Sequence, residues 1–293
     1  MIKKITITLA LVATGLFLYS QESADTIKYW KFEGVTSINF TQVSLTNWAA
    51  GGENSYAANG LLNLSLNYSK DKNDWLNTLN LGYGLQKQQD QDIRKTDDQL
   101  DFLSKYGRKV STSFFISAML NFKTQFTDGM KYDKDTSYVI SKFMAPAYLQ
   151  ASLGMEYKPN DNFYAVLAPL ACKVTMVMDD TLSSKGSFGV DPGKNTRFEF
   201  GAAVNMGYKK EVLKNVEFNT VLGLFTNYLD KPQNIDVDWK VFINMKINNY
   251  LSANLNTHLI FDDDIDFIND SGLPKSAKVQ FKEVFGVGLT YKF

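Results

Sequence analysis

From about residue 35 to its end this chain alternates apolar and polar side chains in long stretches, and that beat of two constrains the fold more than any other feature. Leu62, Leu64, Leu66 and Tyr68 interleave with Asn63, Ser65, Asn67 and Ser69. Phe198, Phe200, Ala202, Val204, Met206 and Tyr208 repeat the pattern, as do Val237, Trp239, Val241, Ile243, Met245 and Ile247. Successive side chains of a strand point to opposite faces, so each stretch reads as a strand with one greasy and one polar face. Strands of soluble sandwiches average roughly five or six residues, whereas these run to about ten to sixteen, long enough to cross a bilayer at a tilt. The polar face is rich in Asn, Lys, Glu, Gly and Ser, as the wet interior of a barrel is. An apolar face this extensive needs a second sheet or lipid to cover it, and the strand lengths favour lipid.

The connections test this independently. Twelve strands are predicted, near 35–46, 56–70, 74–88, 96–106, 110–127, 147–158, 162–177, 196–209, 215–228, 236–248, 250–263 and 278–293. Their junctions alternate long and short. The short ones are Asp71-Lys72-Asn73, Gly107-Arg108-Lys109, Pro159-Asn160-Asp161, Lys210 to Lys214 and Asn248-Asn249; the long ones include 128–146, 178–195 and 264–277. Short periplasmic turns with longer outer loops mark outer-membrane barrels, and an even strand number returns both ends of the chain to the periplasmic side. Tyr68, Trp75, Tyr106, Tyr157, Phe163, Tyr208, Tyr250 and Tyr291 stand beside the short turns, where an amphipathic ring rests at headgroup level. The last strand ends Val287, Leu289, Tyr291, Phe293, and such a terminal aromatic resembles the signal read by barrel-assembly machinery. The predicted fold is all-β: a transmembrane antiparallel up-and-down barrel in the outer membrane, meeting outer-membrane lipid.

The N-terminus reads as an export tag. Met1 to Lys4 carries two lysines, Ile5 to Leu18 is uncharged, and Tyr19-Ser20-Gln21 follows. This is the pattern of a secretory signal peptide over 1–20, cleaved after Ser20, then a short periplasmic segment 21–34 and the barrel 35–293. The apolar run is shorter than the ~20 residues of a spanning helix, and the stretch around the cut holds no cysteine, which argues against a lipoprotein.

Composition removes several function classes. The 31 basic and 31 acidic side chains balance, whereas a nucleic-acid binder needs a clustered positive excess. A single cysteine, Cys172, and a single histidine, His258, exclude an internal disulfide and the His/Cys cages of structural zinc. Cys172 sits on a greasy face and reads as a small hydrophobe.

Three details break the alternation. Glu283 falls on the lipid parity of the last strand, so it is expected near the outer rim or beside a bulge that flips the register. The first strand loses parity between Phe40 and Val43. Pro169 gives up a ladder hydrogen bond, which marks a bulge or kink in a strand whose lipid parity is Val166, Ala168, Leu170, Cys172, Val174 and Met176.

Lys173 and Thr175 take the inward parity of that strand, where they tune a pore or pair with lumen carboxylates such as Glu199; Arg197 shares the parity of Glu199. His258 shares the lumen parity of Ser252, Asn254, Asn256 and Asp262. A Ser/His/Asn phospholipase would need a serine in reach of that imidazole and donors for an oxyanion. Position 260 is isoleucine and the histidine faces inward, so a hydrogen-bonded lumen histidine is the better reading. The run Asp262-Asp263-Asp264, extended by Asp266 and Asp270, offers oxygens to a hard cation but lacks the spaced pattern of an EF-hand, so it reads as a solvated loop tip.

Asn47-Trp48-Ala49-Ala50-Gly51-Gly52-Glu53-Asn54 interrupts the alternation. Trp48 and Glu53 flank two glycines that permit close backbone approach, so the segment is either a loop folded inward as a constriction or a tight turn. This motif resembles that of a family of Gram-negative outer-membrane barrels known as domain of unknown function 3078. Arg94-Lys95-Thr96-Asp97-Asp98, Leu120 to Phe126, Phe143 to Tyr148, Gln233 to Val237, Thr257 to Asp264 and Gln280 to Val284 are similar to that family's pattern too. The resemblance spans essentially the whole mature chain. It implies the fold and the location, and it brings no catalytic residues, because the family carries no established activity.

The expectation is therefore a non-enzymatic, cofactor-free barrel, a passive channel or transporter for a small solute. Its constriction candidates are Trp48, Glu53, Lys173, Thr175, Arg197, Glu199 and His258. The competing readings are a plugged structural or binding barrel, whose outer loops contact lipopolysaccharide or a protein partner, and an outer-membrane hydrolase.

Overall fold

A computed structural model describes residues 29–45, 53–89, 91–132, 136–265, 267–268, 274–275 and 277–293. The proposed signal peptide and its cut lie outside the described residues. Twelve long strands form one closed antiparallel barrel. They are β1 (Trp30–Val43), β2 (Ser55–Lys70), β3 (Asn73–Gln88), β4 (Arg94–Lys109), β5 (Phe114–Thr124), β8 (Ala147–Asn160), β9 (Phe163–Met176), β10 (Thr196–Leu213), β11 (Val216–Asn227), β12 (Asp236–Lys246), β13 (Leu251–Phe261) and β16 (Gln280–Lys292). Each pairs with its neighbours along the chain, and β1 meets β16 to close the ring. Short hairpins stand in two long loops: β6 (Gly129–Tyr132) with β7 (Ser137–Ser141), and β14 (Phe267–Ile268) with β15 (Pro274–Lys275). A single helical turn, α1 (Asp180–Ser184), occupies another, capped by Asp179, whose carboxylate accepts from the Leu182 N–H.

The period of two sorts the wall as expected. In β5, Phe114, Ile116 and Leu120 face out and are exposed, while Phe115, Ser117 and Met119 face in and are buried. In β16, Phe281, Phe285, Val287, Leu289 and Tyr291 form the outward set. Closure is what a bilayer demands, because an unpaired backbone group in hydrocarbon costs several kcal/mol. At the short-turn end the girdle is built from ring pairs: Trp30 with Tyr68 at 4.9 Å, Phe114 with Tyr157 at 5.1 Å and Tyr208 with Phe218 at 6.3 Å. The C-terminus fastens the ring there. The Gly34 N–H donates to the Phe293 carbonyl at 2.8 Å, and the Phe293 N–H returns a bond to the Gly34 carbonyl at 2.9 Å. The Phe293 ring fills the place of a side chain at Gly34, where a Cβ would stand 2.2 Å from it.

All twelve strands stand where the pattern puts them, with shifted ends. β1 begins at Trp30 rather than near 35, because Trp30 and Phe32 continue the outward set opposite Tyr68 and Leu66 of β2. β4 runs on through Lys109 and β10 through Leu213, so those two turns fall later than the sequence suggests. The parity break in β1 is not a bulge: its register with β2 is continuous, so Val43 turns inward with Ser37 and Asn39. Nor does a bulge flip Glu283. Its register with β13 is unbroken, so it stays outward opposite Thr257, four residues into the strand from its outer end.

Pro169 does mark a bulge, and its consequence corrects the sequence reading. Gly201 of β10 lies opposite Ala171 and Ala203 opposite Ala168, so Pro169 and Leu170 face one residue of the neighbour. Two against one reverses the parity below the proline. Val166 and Ala168, expected on the lipid side, turn into the lumen and are fully buried, while Leu167 points out, 61% exposed.

Candidate functional site

The inward faces of the strands bring Lys173 and Thr175 (β9), Arg197 and Glu199 (β10) and His258 (β13) into the half of the lumen nearer the long loops. The Lys173 ammonium lies 2.6 Å from Asp236, 2.9 Å from Asp262 and 3.7 Å from Glu199. The Arg197 guanidinium bridges Glu199 and Asp264, at 3.0 Å each. Thr175 and Glu199 are sealed from solvent, at 0% and 1% exposure. Trp48 lies outside the described residues. Glu53 is exposed ahead of β2 at the outer rim, apart from this cluster.

Further pairs cross the bore. Asp101 of β4 and Lys240 of β12 stand six strands apart in a ring of twelve, on opposite walls, and their charged atoms meet at 2.5 Å. Lys123 of β5 reaches Asp238 of β12, also at 2.5 Å, and Lys282 of β16 reaches Asp97 of β4 at 2.7 Å. Asn121 donates to Asp101 at 2.7 Å. His258 Nε2 lies 3.0 Å from Asp238. Asp97, Asp101 and Lys173 are each less than a tenth exposed, although they line the inside of a barrel. Beneath this layer Lys105 pairs with Glu156, its ammonium 4.1 Å above the Tyr164 ring. Tyr164 in turn packs on an apolar cluster of Val166, Ala168, Ala171, Ala203 and Phe225, which the bulge at Pro169 helps to turn inward.

The layer holds seven carboxylates (Asp97, Asp101, Glu199, Asp236, Asp238, Asp262, Asp264) against five cations (Lys123, Lys173, Arg197, Lys240, Lys282). Charges out of reach of water are tolerated only when paired, and here each cation touches at least one carboxylate. Asp262, Asp263 and Asp264 are not a solvated tip, which corrects the sequence reading for them; Asp266 and Asp270 lie outside the described residues. Asp262 and Asp264 roof the lumen on Lys173 and Arg197, and Asp263 accepts from Asn234 and lies 3.6 Å from Lys231. Three basic side chains therefore fill the places a cation would take. His258 has Asp238 as its hydrogen-bond partner and lies opposite Lys240 and Lys282 in the two ladders beside it.

The sequence reading missed Asp97, Asp101, Lys123, Asp236, Asp238, Lys240 and Lys282. All have inward parity and lie toward the loop ends of their strands, so a search for charges on the polar face would have found them.

Residues 40–130 match the model of a family described as "Protein of unknown function (DUF3078)". Across that stretch the chain is similar to the DUF3078 family. The similar motifs from Arg94 to Phe126 lie inside it, and those from Phe143 onward lie beyond it. No curated protein matches. Among solved structures, an outer membrane channel from Pseudomonas putida F1 is 11% identical, with 92% of this chain and 100% of that one covered at a TM-score of 0.40. The translocator domain of the autotransporter NalP from Neisseria meningitidis is 8% identical, with 99% and 96% covered at a TM-score of 0.37. Likeness at that level says nothing about what this barrel carries.

Proposed function

We propose that this chain is an outer-membrane channel for a small solute, constricted by the ion-pair layer in the loop-side half of its lumen. The observation that carries this is the meeting of Lys240 and Asp101 from opposite walls. A lumen filled for stability alone gains little from charge, since replacing buried ion pairs by apolar side chains of similar volume is often neutral or stabilising. A charged layer, by contrast, leaves a path that water enters when the pairs part. Lys123, Asp238 and Lys240 keep 31%, 31% and 27% of their side-chain surface exposed. The surplus of carboxylates favours cations over anions in such a pore.

The outward belt and the aromatic girdle support a place in the outer membrane, with lipid around it and the assembly machinery reading the outward aromatics Tyr291 and Phe293. Recording the purified protein in a planar bilayer tests the channel: a small, cation-selective conductance is expected. A complete lack of conductance would favour the second reading, a plugged binding barrel, for which the burial of Glu199 and Thr175 speaks. We assign His258 no enzymatic role, and His258→Ala should leave lipase and protease assays unchanged at background.

A further inference from the structure

One junction of the ring differs from the rest. β1 and β16 are in register only over Val35–Asn39 and Gly288–Lys292, with Gly34 and Phe293 bonded just below. Every other pair of neighbouring barrel strands is registered over ten or more positions. β1 continues along β2 to Val43, and β16 runs along β13 from Gln280. On the loop side of Asn39 and Gly288, then, the facing edges Phe40–Val43 and Gln280–Val287 have no strand partner among the described residues.

Backbone groups left unpaired at membrane depth are tolerated where they line a water-filled cavity, and otherwise cost several kcal/mol each. The slot suits such a cavity. On its outer side stand Phe40, Phe281 and Phe285, 58%, 60% and 63% exposed. On its inner side is Gly286, where a Cβ would come within 3.0 Å of Asn39. Behind it lies the polar wall of the lumen, with Lys282 on Asp97 and the Asn59 amide 3.4 Å from the same carboxylate. Along the axis at this level the bore is crossed by the Lys282–Asp97, Lys240–Asp101 and Lys123–Asp238 pairs. A solute entering from the outer side meets charge along the axis and phenylalanine at the side.

Building on the channel reading, we propose that the outer opening of this barrel is lateral: a slot between Phe40–Val43 and Gln280–Val287 that admits an apolar or amphipathic small molecule from the outer leaflet into the lumen. The phenylalanines hold its apolar body, and Asn39, Asp97 and Lys282 meet its polar end.

Closing the slot tests this. Continuing the register four residues from Asn39 and Gly288 sets Val43 opposite Val284. The variant Val43→Cys/Val284→Cys is made with Cys172→Ser and placed in the outer membrane of a Gram-negative host. It is left open or bridged with bismaleimidoethane, and entry of N-phenylnaphthylamine, an apolar amine, is compared with entry of arabinose. Open, the protein should speed N-phenylnaphthylamine entry above that of the host alone; bridged, that gain should disappear while arabinose entry stays the same. If the bridge leaves N-phenylnaphthylamine entry unchanged while arabinose still passes, the lateral route is wrong and the channel stands. Cysteines that no maleimide reaches would mean the edges are already covered, and a bridge joining two chains would mean that a second copy covers them; either overturns the slot. If neither probe passes and no current flows, the channel reading fails and the slot with it.

Discussion

The two halves of the lumen are built from the same twelve strands and hold different chemistry. Toward the long loops, charged side chains join opposite walls, as Asp101 and Lys240 do. Toward the short turns of β12, β13 and β16, neutral groups join adjacent strands: Asn244 donates to Asn254 at 2.6 Å, and the Ser252 and Thr290 hydroxyls meet at 2.5 Å. Charged pairs recur elsewhere in that half, buried as Lys105 with Glu156, and nearer the mouth as Lys158 with Asp74 at 2.9 Å and Lys292 with Glu217 at 3.3 Å. The difference is one of reach. An asparagine or serine satisfies itself on the next strand, whereas a lysine stem spans the bore, so the placement of lysines decides where the barrel is crossed.

The largest break in that contrast should come from Lys173→Met. It leaves Glu199, Asp236 and Asp262 without their shared ammonium, and removing one partner of a buried ion pair typically costs about 3–5 kcal/mol. Urea unfolding in detergent micelles would measure it, and a loss near zero would mean the cluster is open to water. Gly34→Val attacks the opposite end by pushing the Phe293 ring off the seam. Overpacking of this kind costs roughly 1–3 kcal/mol, and the variant should lose its heat-modifiable migration at a lower temperature than the parent. Asn254→Ala leaves the buried Asn244 amide without its acceptor and should cost about 1–3 kcal/mol. A penalty as large as that of Lys173→Met would erase the distinction between the halves.

The smallest effect lies outside the bore, on the loop that carries α1. The Lys142 ammonium, and after it the Leu182 N–H, holds the Asp179 carboxyl below its ordinary value. A lowered carboxylate stabilises above its unfolded value, near ~3.9, and that contribution is lost as pH falls through the lower, folded value. Protection of the Asp180–Ser184 amides, taken as exchange relative to an unstructured chain at the same pH, should therefore hold down to about pH 4 and fall below it. Lys142→Ala should shrink the protection that is lost below that pH, because less lowering of the Asp179 carboxyl remains to be given up, and a loss indifferent to the lysine would contradict the pairing.

The faces of the strands were legible in the sequence; what meets across the lumen was not. Alternation placed Lys173, Thr175, Arg197, Glu199 and His258 inward, and loop lengths gave the strand count. A period of two, however, reports a side and not a height, so nothing local to Asp101 points to Lys240, 139 residues away. Pro169 was visible as a bulge, but which residues it turned inward depended on the two-for-one count against β10. The start of β1 was hidden because Lys31 and Glu33, salt-bridged at 2.7 Å near the mouth, look like a polar linker. The short β1–β16 ladder leaves no trace, since both strands alternate straight past its end.

Single-channel conductance of the Asp101→Ala/Lys240→Ala double variant, beside the unaltered protein, tests the cross-lumen constriction most directly. Removing one charge of each sign leaves the net charge of the bore unchanged, so a several-fold larger current with unaltered ion preference is predicted. Equal currents from the two proteins would contradict it, because the opposite walls would then not meet where Lys240 and Asp101 do.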